Sequence, residues 1–560
     1  MPPFPNTLPY ATSREPVYAA NCVATSQPLA AQAGIEMLRL GGNAFDAAVA
    51  TAAALTVVEP TSNGIGSDAF AILWAGGGLH ALNASGKSPA LLTEDEASRR
   101  FAGMSRIPFY GWQGVTTPGC VSAWTQINER FGFLPLTTVL RPAIEYARNG
   151  FPLSPQTSYY WNRAFNGYSQ GLEESPAVFQ AWFDTFAPNG AAPTTGDLIR
   201  LPHHADTLQA IAETNGRAYY EGELADAIDA ASREQGGLLR NADLAEHEPE
   251  WVRTVTADYM GWTLHEIPPN GQGITACIAA ELMTRHRERW ADLDADDPRN
   301  LHLQIEAIKA AFSDTSRYVA DERFMPFRPE AMLDARYLDR RAQEIDPNAA
   351  NIWKHGTPAG GGTVYLCAAD THGNMISFIQ SNYTGFGSGV VVPNTGIALQ
   401  NRGCNFVLDD TDDGSPHPNR PGPRKRPYHT IIPAFVTETD ATGNEKPVMA
   451  YGVMGGFMQP QGHLQVLHRL RAHHQNPQAA LDAPRFRWDE GNTVRIEPGF
   501  DPYVYQRLRE MGHDVTESDA RTVSHGRGQI IWQLQAPTGD TPPVYVAASD
   551  QRADGQAVGF

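Results

Sequence analysis

The stretch Gly360-Gly-Gly-Thr-Val-Tyr-Leu-Cys-Ala-Ala-Asp370 carries the chain from a glycine-rich segment directly into a run of strand-forming residues. A turn at residues 371–374 and a second β-rich run, Met375 to Ser381, follow it. Two β-rich runs on either side of a Gly-Asn turn predict an antiparallel hairpin. This hairpin opens the β-rich part of the chain, because the pattern of residues 120–350 is mainly helical.

Elements on both sides of the hairpin are predicted from apolar spacing and from capping and turn residues. Ser26 is a suitable N-cap for one helix, and a Gly-Gly-Asn break separates it from a second, alanine-rich helix over residues 44–58. The remaining predicted elements are strands over residues 69–74, 79–83, 430–437 and 448–454, and a helix over residues 457–473. The helices and strands do not follow regular βαβ spacing, and hairpins recur. This order favours an α+β fold in which antiparallel sheets are flanked by helices.

Composition narrows the classes of function. The chain has 560 residues, of which 42% are hydrophobic and 19% charged, and this balance is typical of a globular protein. Its net charge of −19 argues against nucleic acid or an anionic membrane as a partner. No apolar run of about 18 residues is present. The five cysteines form no Cys-x-x-Cys pair, which predicts a reducing, cytoplasmic setting.

No cofactor or metal is predicted. The chain has no phosphate-binding P-loop, dinucleotide fingerprint or Gly-x-Ser-x-Gly elbow. The acidic turn over residues 409–414 lacks the spacing of a calcium-binding EF-hand loop. Four histidines between residues 463 and 474 lack the His-Glu-x-x-His spacing of a zinc site. We interpret both patterns as structural or surface features.

Thr363 is the candidate nucleophile. A threonine hydroxyl reacts poorly without an adjacent base, but cleavage of the preceding peptide bond would supply one in the new α-amino group. The reference pKa of an α-amine is about 7.7–8.0, so part of it is neutral at physiological pH. Glycines before Thr363 permit the tight turn that self-cleavage needs. The alternative is a common glycine-rich loop that enters an ordinary strand.

The order of motifs along the chain decides between these interpretations. From Ser26 to the C-terminal region the sequence resembles the γ-glutamyltransferase family of N-terminal-nucleophile hydrolases. The resemblance rests on these matches: Gly41-Gly-Asn-Ala-Phe-Asp-Ala-Ala48, Val58-Glu-Pro60, Gly64-Ile-Gly66, Thr117-Pro-Gly119, Tyr220-Glu-Gly222, Gly236-Gly-Leu238, Pro268-Pro269, Asp370 with Gly373-Asn374, Phe386-Gly-Ser-Gly389, Gly396-Ile397, Arg426-Pro427, Pro433, Gly455-Gly456 and Asp482-Ala-Pro-Arg485. Each motif is weak by itself, but together and in this order they are specific.

The resemblance implies a four-layer αββα sandwich with an added helical region in its N-terminal part. It also implies self-cleavage between Gly362 and Thr363, which gives a large subunit, 1–362, and a small subunit, 363–560. These subunits would stay together as one intertwined domain, a heterodimer for which further dimerisation is left open. Ser381 falls where the family has a threonine that orients the nucleophile. Gly455 and Gly456 fall on the glycine pair whose N–H groups form the oxyanion hole.

The substrate pocket departs from the family pattern. Members that act on glutathione hold the γ-glutamyl group with an arginine, acids and amides, and other residues occupy these places here. The candidate substrate-binding residues are Ser85, Lys87, Tyr383, Asn394, Arg402, Asn405, His429 and Thr430. Ser85 replaces the arginine, and Lys87 is the nearest cation in that segment. Asn394 and Asn405 stand where acids are expected, and Arg402 would repel an ammonium group.

The leading hypothesis is a self-processing amide hydrolase or γ-glutamyl transferase that acts through an acyl-enzyme. Its substrate would be a small amide, either γ-glutamyl or another amide that carries a carboxylate. The first alternative is an acylase or an oxamate-type small-amide hydrolase without γ-glutamyl preference. The second is an unprocessed, non-catalytic relative. No nucleic acid or membrane partner is expected.

Overall fold

The computed structural model describes residues 13–353, 362–411, 414–518 and 522–560. Its centre is a pair of stacked seven-stranded sheets in which all neighbouring strands are antiparallel. The first sheet has the spatial order β19 (Gln556–Gly559), β2 (Cys22–Thr25), β10 (Gly362–Ala369), β11 (Met375–Tyr383), β3 (Asp68–Ala75), β4 (Gly78–Asn83), β7 (Glu250–Val252). The second sheet has the order β1 (Val17–Ala19), β18 (Val544–Ser549), β17 (Arg527–Gln535), β13 (Glu445–Met454), β12 (Ala434–Thr439), β9 (Trp262–Glu266), β8 (Val255–Tyr259).

Helices cover the outer faces of both sheets. Against the first sheet pack α1 (Pro28–Arg39), α2 (Ala44–Val58), α4 (Cys120–Phe131), α5 (Leu136–Val139), α6 (Arg141–Asn149), α7 (Pro155–Glu174), α8 (Pro176–Phe186), α9 (Pro202–Thr214), α10 (Arg217–Tyr220), α11 (Glu223–Glu234) and α12 (Asn241–Ala245). Against the second pack α13 (Gly273–Arg285), α14 (Arg287–Trp290), α15 (Pro298–Tyr318), α16 (Ala335–Gln343), α17 (Met458–Arg471), α18 (Pro477–Asp482) and α19 (Pro502–Glu510). A separate small cluster contains α3 (Glu94–Arg100). The remaining strands are β5 (Phe151–Pro152), β6 (Leu198–Ile199), β14 (Phe486–Glu490), β15 (Thr493–Ile496) and β16 (Asp514–Glu517).

Three apolar cores separate these layers, and strand β10 shows how the sequence divides between them. Val364, Leu366 and Ala368 belong to the core under the first helical layer. Tyr365 and Cys367 belong to the core between the sheets. This period of two is that of a strand buried on both faces. It confirms the predicted αββα arrangement and places every second residue of β10, Thr363 included, toward the second sheet.

The predicted hairpin and the two N-terminal helices are confirmed, but the N-cap of α1 is Gln27 and not Ser26, because the Gln27 side chain accepts from the Leu29 and Ala30 N–H groups. The Asn43 side chain accepts hydrogen bonds from the backbone N–H groups of Phe45 and Asp46, and the Asp46 carboxylate accepts from the Asn43 N–H. The Asp370 carboxylate accepts from the Ala44 N–H at 2.8 Å, and it also closes the hairpin turn by accepting from His372. A capping box of Asn43 and Asp46 therefore starts α2, and the Asp370 carboxylate holds this start against the end of β10.

Two secondary-structure predictions need refinement. The segment 120–350 is mainly helical as predicted, but strands β5 to β9 also lie within it, and β8 and β9 complete one edge of the second sheet. The strand predicted over residues 430–437 begins later, at Ala434. The described helices include none with the length and apolar character needed to cross a bilayer.

The sheets approach each other closely where Gly452 of β13 faces Tyr365 of β10. A β-carbon at position 452 would lie 2.5 Å from the Tyr365 ring, which is closer than packing allows. We expect Gly452→Ala to destabilise the protein by about 1–3 kcal/mol, because the added methyl group must push the sheets apart. Thermal unfolding of the variant would measure the loss as a lower Tm.

Gly78→Ala is the matched control. Gly78 also lies in a strand, but a β-carbon there would meet nothing within 4 Å. Its effect is expected to stay within about 0.5 kcal/mol. Equal Tm values for the two variants would show that the contact between Gly452 and Tyr365 does not limit sheet stacking.

Candidate active site

Thr363 is the second residue of β10 and is 1% exposed. Gly362 pairs with Tyr383 of β11 and Val364 with Gln380, so the register shifts at Thr363. The Thr363 hydroxyl donates to the Ser381 Oγ at 3.2 Å. A pairing irregularity at the head of a buried strand therefore directs the candidate nucleophile toward the serine that the sequence singled out.

The Ser381 hydroxyl oxygen accepts two further hydrogen bonds. Its Oγ accepts from the Tyr383 backbone N–H at 2.7 Å and from the Arg402 Nη2 at 3.1 Å. Tyr383 has a φ of +78°, an unusual value for a residue with a side chain, and this conformation bends the end of β11 around the hydroxyl. Ser381 is held in place by bonds to backbone and side chain alike.

Arg402 extends this group of residues away from Ser381. Its Nη1 donates to the Thr430 Oγ1 at 2.6 Å, and its guanidinium carbon lies 4.6 Å from the centre of the Tyr383 ring. Arg402 is fully buried, and burial lowers its pKa to about 10 although the nearby Asp68 raises it. We call Thr363, Ser381, Tyr383, Arg402 and Thr430 the Thr363 cluster.

A buried Asp–His pair lies beside the Thr363 cluster. Asp68 begins β3 and is the register partner of Ser381. Its Oδ2 lies 3.1 Å from the His429 Nε2, and its Oδ1 accepts from the Gly86 N–H. Burial raises the pKa of Asp68 to about 7, and burial together with two arginines holds the pKa of His429 well below its ordinary value. The imidazole is therefore neutral at physiological pH, and Asp68 titrates in that range.

Arg527 reaches Thr363 from the second sheet. Its Nη2 donates to the Thr363 carbonyl at 3.3 Å, and its Nη1 forms an ion pair of 2.8 Å with Glu59, the residue that ends α2. Asp68 and Arg527 were both missed in the sequence analysis. The signal that could have found them was the same for each: a charged residue at the end of a strongly apolar strand. Such a residue is rarely buried unless it has a charged or hydrogen-bonding partner.

Gly455 and Gly456 form the turn between β13 and α17. Their φ values are +145° and +62°, and a β-carbon at Gly455 would lie 3.3 Å from both the Gly526 Cα and the Met458 Cβ. Residue 454, just before the turn, is the register partner of Arg527. The turn thus lies at the same end of the second sheet as the contact to Thr363, and it precedes a helix N-terminus, which favours negative charge.

The other candidate pocket residues lie apart from the Thr363 cluster. Ser85 is buried and its carbonyl accepts from the Arg426 Nε at 3.0 Å. Lys87 lines a cavity of about 210 Å³ together with acidic residues such as Asp243 and Glu246. Asn394 is exposed in a turn that contacts α9, where Thr207 donates to the Thr395 carbonyl. Among the described residues, none of these three side chains has a hydrogen bond to the Thr363 cluster.

Asn405 and His429 are nearer to the Thr363 cluster than Ser85, Lys87 and Asn394, by sequence position or through one intervening residue. Asn405 ends the short 3₁₀ turn that begins with Arg402, and its buried Nδ2 has no hydrogen-bond partner among the described residues. His429 is joined to the cluster through Asp68, whose register partner is Ser381. Of the predicted binding residues, Tyr383 and Arg402 therefore donate to Ser381, and Thr430 accepts from Arg402.

One group of potential metal ligands lies within the described residues, on the far side of the second sheet. It consists of His302, Glu306 and His513, all buried. The His302 Nδ1 lies 2.8 Å from the His513 Nε2, and Glu306 forms an ion pair of 2.7 Å with Lys309. The Lys309 charge beside Glu306 opposes a cation there.

Comparison with known proteins shows which family the whole chain resembles. The sequence profile described as Gamma-glutamyltranspeptidase matches residues 30–560. The chain is 34% identical over 540 residues to the glutathione hydrolase-like YwrD proenzyme of Bacillus subtilis, covering 95% of this chain and 97% of the relative. It is 32% identical over 544 residues to the oxamate amidohydrolase proenzyme of Klebsiella pneumoniae, with the same coverage.

A solved structure gives the same result. The cephalosporin acylase from Bacillus halodurans is 47% identical and superimposes with a TM-score of 0.92, covering 100% of this chain and 99% of that one. The overall fold is thus shared over the full length of both chains. By profile, by relatives and by structure, the chain belongs to the gamma-glutamyltranspeptidase family.

Proposed function

We propose that the protein is a self-processing amide hydrolase in which Thr363 is the nucleophile. The observation that carries this proposal is the buried Thr363 hydroxyl at the head of β10, bonded to Ser381 at 3.2 Å, in a chain of this family. Cleavage between Gly362 and Thr363 would divide the chain into a large subunit, 1–362, and a small subunit, 363–560. The proenzyme names of two relatives support such processing.

The proposed reaction needs no group beyond those of the chain and water. After cleavage, the Thr363 α-amine takes the hydroxyl proton while Oγ1 attacks the amide carbon. The backbone N–H groups of Gly455 and Gly456 would bind the oxyanion that forms. Collapse breaks the C–N bond, and the amine or ammonia leaves with the proton. Water then attacks the threonine ester in the same way, which releases the acid and restores Thr363.

Strand geometry explains why both parts of the chain are needed. Thr363 and Ser381 come from β10 and β11 in the proposed small subunit, whereas Asp68 and Glu59 come from the proposed large subunit. β10 also pairs with β2 of that subunit over four residues, Leu366 to Ala369. Cleavage before Thr363 would therefore leave two chains that share one sheet, a heterodimer held by the ladder and by apolar packing.

The substrate is proposed to be a small amide without a γ-glutamyl requirement. Ser85 stands where an arginine fork is expected, and Asn394 and Asn405 replace acids that would hold an α-ammonium group. The names of two similar proteins, an oxamate amidohydrolase and a cephalosporin acylase, support this alternative. We propose hydrolysis rather than transfer as the main outcome.

Thr363→Ala tests the nucleophile. We expect the wild-type protein to resolve into chains of about 39 and 22 kDa, in proportion to residue number. The smaller chain should begin Thr-Val-Tyr-Leu. The alanine variant should stay intact and inactive, whereas Thr363→Ser should still be cleaved because serine supplies the same oxygen. Intact mass and N-terminal sequencing are the measurements, and amide turnover by pure, folded Thr363→Ala would reject the proposal.

Ser381→Ala tests the orienting serine. The change removes the oxygen that accepts from Arg402 and Tyr383 and contacts the Thr363 hydroxyl. We expect kcat of the matured enzyme to fall by about 10- to 100-fold, the cost of a charge-assisted hydrogen bond. Ser381→Thr keeps the oxygen and is the matched control, with kcat near that of the wild type. If both variants lose the same activity, packing and not the hydroxyl is responsible.

A substrate comparison tests the pocket. We expect glutathione and γ-glutamyl-p-nitroanilide to be poor substrates relative to small amides that carry a carboxylate and no α-ammonium group. The reason is that Arg402, a buried cation near Thr363, repels an ammonium group. Its hydrogen-bond acceptors among the described residues are two hydroxyls and not a carboxylate. The measurement is kcat/KM on the matured protein. A value for glutathione at the level of typical enzymes, about 10⁴ M⁻¹s⁻¹ or more, would show that the pocket still recognises γ-glutamyl groups.

A further inference from the structure

Arg402 is a buried cation with incomplete compensation. Its two hydrogen-bond acceptors, the hydroxyls of Ser381 and Thr430, are both neutral. Its Nε is buried and has no hydrogen-bond partner, and within the described ranges no carboxylate lies at ion-pair distance from it. Asp68 acts on it only from farther away. Buried charges are ordinarily paired because desolvation is costly, so this guanidinium has donors available for an anion.

Two other arginines around the site already have anionic partners. Arg527 is paired with Glu59 at 2.8 Å, and Arg426 with Glu250 at 2.8 Å. Lys87 lies in its own cavity beside Asp243, Glu246 and Glu248. Of these three arginines, Arg402 is the one without a carboxylate partner among the described residues, so an incoming carboxylate would neutralise its charge.

The position of Arg402 limits the length of the substrate. Its Nη2 and the Thr363 Oγ1 are both bonded to the Ser381 Oγ, at 3.1 and 3.2 Å, so they are separated by two successive hydrogen bonds. In an attack geometry the amide carbon lies about 3–3.5 Å from the nucleophilic oxygen. A carboxylate bonded directly to that carbon is only about 1.5 Å farther. A glutaryl or γ-glutamyl carboxylate is separated from the same carbon by several more bonds and would reach beyond the guanidinium.

We propose that Arg402 binds the carboxylate of the substrate and thereby selects monoamides of short dicarboxylic acids, with the carboxylate on or next to the scissile carbonyl. This inference rests on the proposed role of Thr363. The Nε–H and the remaining guanidinium N–H groups donate to the carboxylate while the Thr363 Oγ1 attacks the amide carbon, ammonia leaves, and water releases the free diacid. Arg402 and Thr363 are both buried in the uncleaved chain, so the inference requires that cleavage before Thr363 open this subsite to the substrate.

The experiment compares a series of amides on matured protein. Oxamate, malonamate, succinamate and glutaramate differ in the spacing of the carboxylate, and oxamide is a neutral counterpart of oxamate. We expect the wild-type kcat/KM for oxamate to be about 10- to 100-fold higher than that for oxamide, the range of a charge-assisted hydrogen bond. We also expect kcat/KM to fall from oxamate to glutaramate, as the carboxylate moves away from the amide. Arg402→Gln should reduce the ratio of oxamate to oxamide turnover to near one.

The ratio separates binding from positioning. Since Arg402 also donates to Ser381, its loss can slow every substrate, but only loss of a carboxylate contact changes oxamate relative to oxamide. Arg106→Gln is the matched control, because Arg106 is an exposed arginine that stacks on Phe109, the ring beside Tyr383. It should leave the ratio unchanged.

The outcomes are distinguishable from failure of the proposed function. If Thr363→Ala still hydrolyses amides, the nucleophile is wrong whatever Arg402 does. If wild-type enzyme matures but turns over oxamide or glutaramate as well as oxamate, the Arg402 inference is overturned while Thr363 stands. If Arg402→Gln does not mature, the wild-type series and competitive inhibition by oxalate decide: a preference for the shortest diacid supports the inference, and its absence overturns it.

Discussion

The contact between Arg527 and Thr363 is the interaction on which the site depends. The guanidinium extends from the second sheet, donates to the Thr363 carbonyl in the first sheet, and forms an ion pair with Glu59 at the end of α2. These residues are buried, so salt and water hardly screen the pair. Loss of one partner would leave a buried charge unpaired, which typically costs about 3–5 kcal/mol. One side chain thus fixes both sheets and a helix around the head of β10.

Close stacking of the two sheets keeps the contact between Arg527 and Thr363 away from water. Gly452 allows the Tyr365 ring to lie against β13, and the same inter-sheet layer contains Thr363 two residues earlier in β10. In such a dry layer electrostatic interactions are stronger than in water. The Arg402 charge next to Ser381 and the buried Asp68–His429 pair therefore meet little competition from solvent. Burial also explains why the pKa of Asp68 rises to about 7.

Local patterns predicted a large part of the fold and of the site. The hairpin and the first two helices follow from apolar spacing, caps and turns. The four-layer architecture and the candidates Thr363, Ser381 and the glycine turn follow from the family resemblance that the order of motifs carries. Strands β8 and β9 were missed within a segment dominated by helical periodicity, although β8 alternates between buried and exposed residues. For Arg402 the sequence predicted a substrate-binding cation that repels an ammonium group. It did not predict the bonds to Ser381 and Thr430.

The sequence by itself determined the order of elements, the position of the candidate nucleophile at the head of a strand, and the family, because each depends on neighbours along the chain. Only the tertiary structure decided which charges meet. Glu59 and Arg527 are 468 residues apart, and Asp68 and His429 are 361 residues apart. Periodicity reports which face of an element is buried, but the partner of a buried charge depends on sheet order and register. That is why Arg402, recognised from the sequence as a cation, acquired its proposed role only when its position beside Ser381 was known.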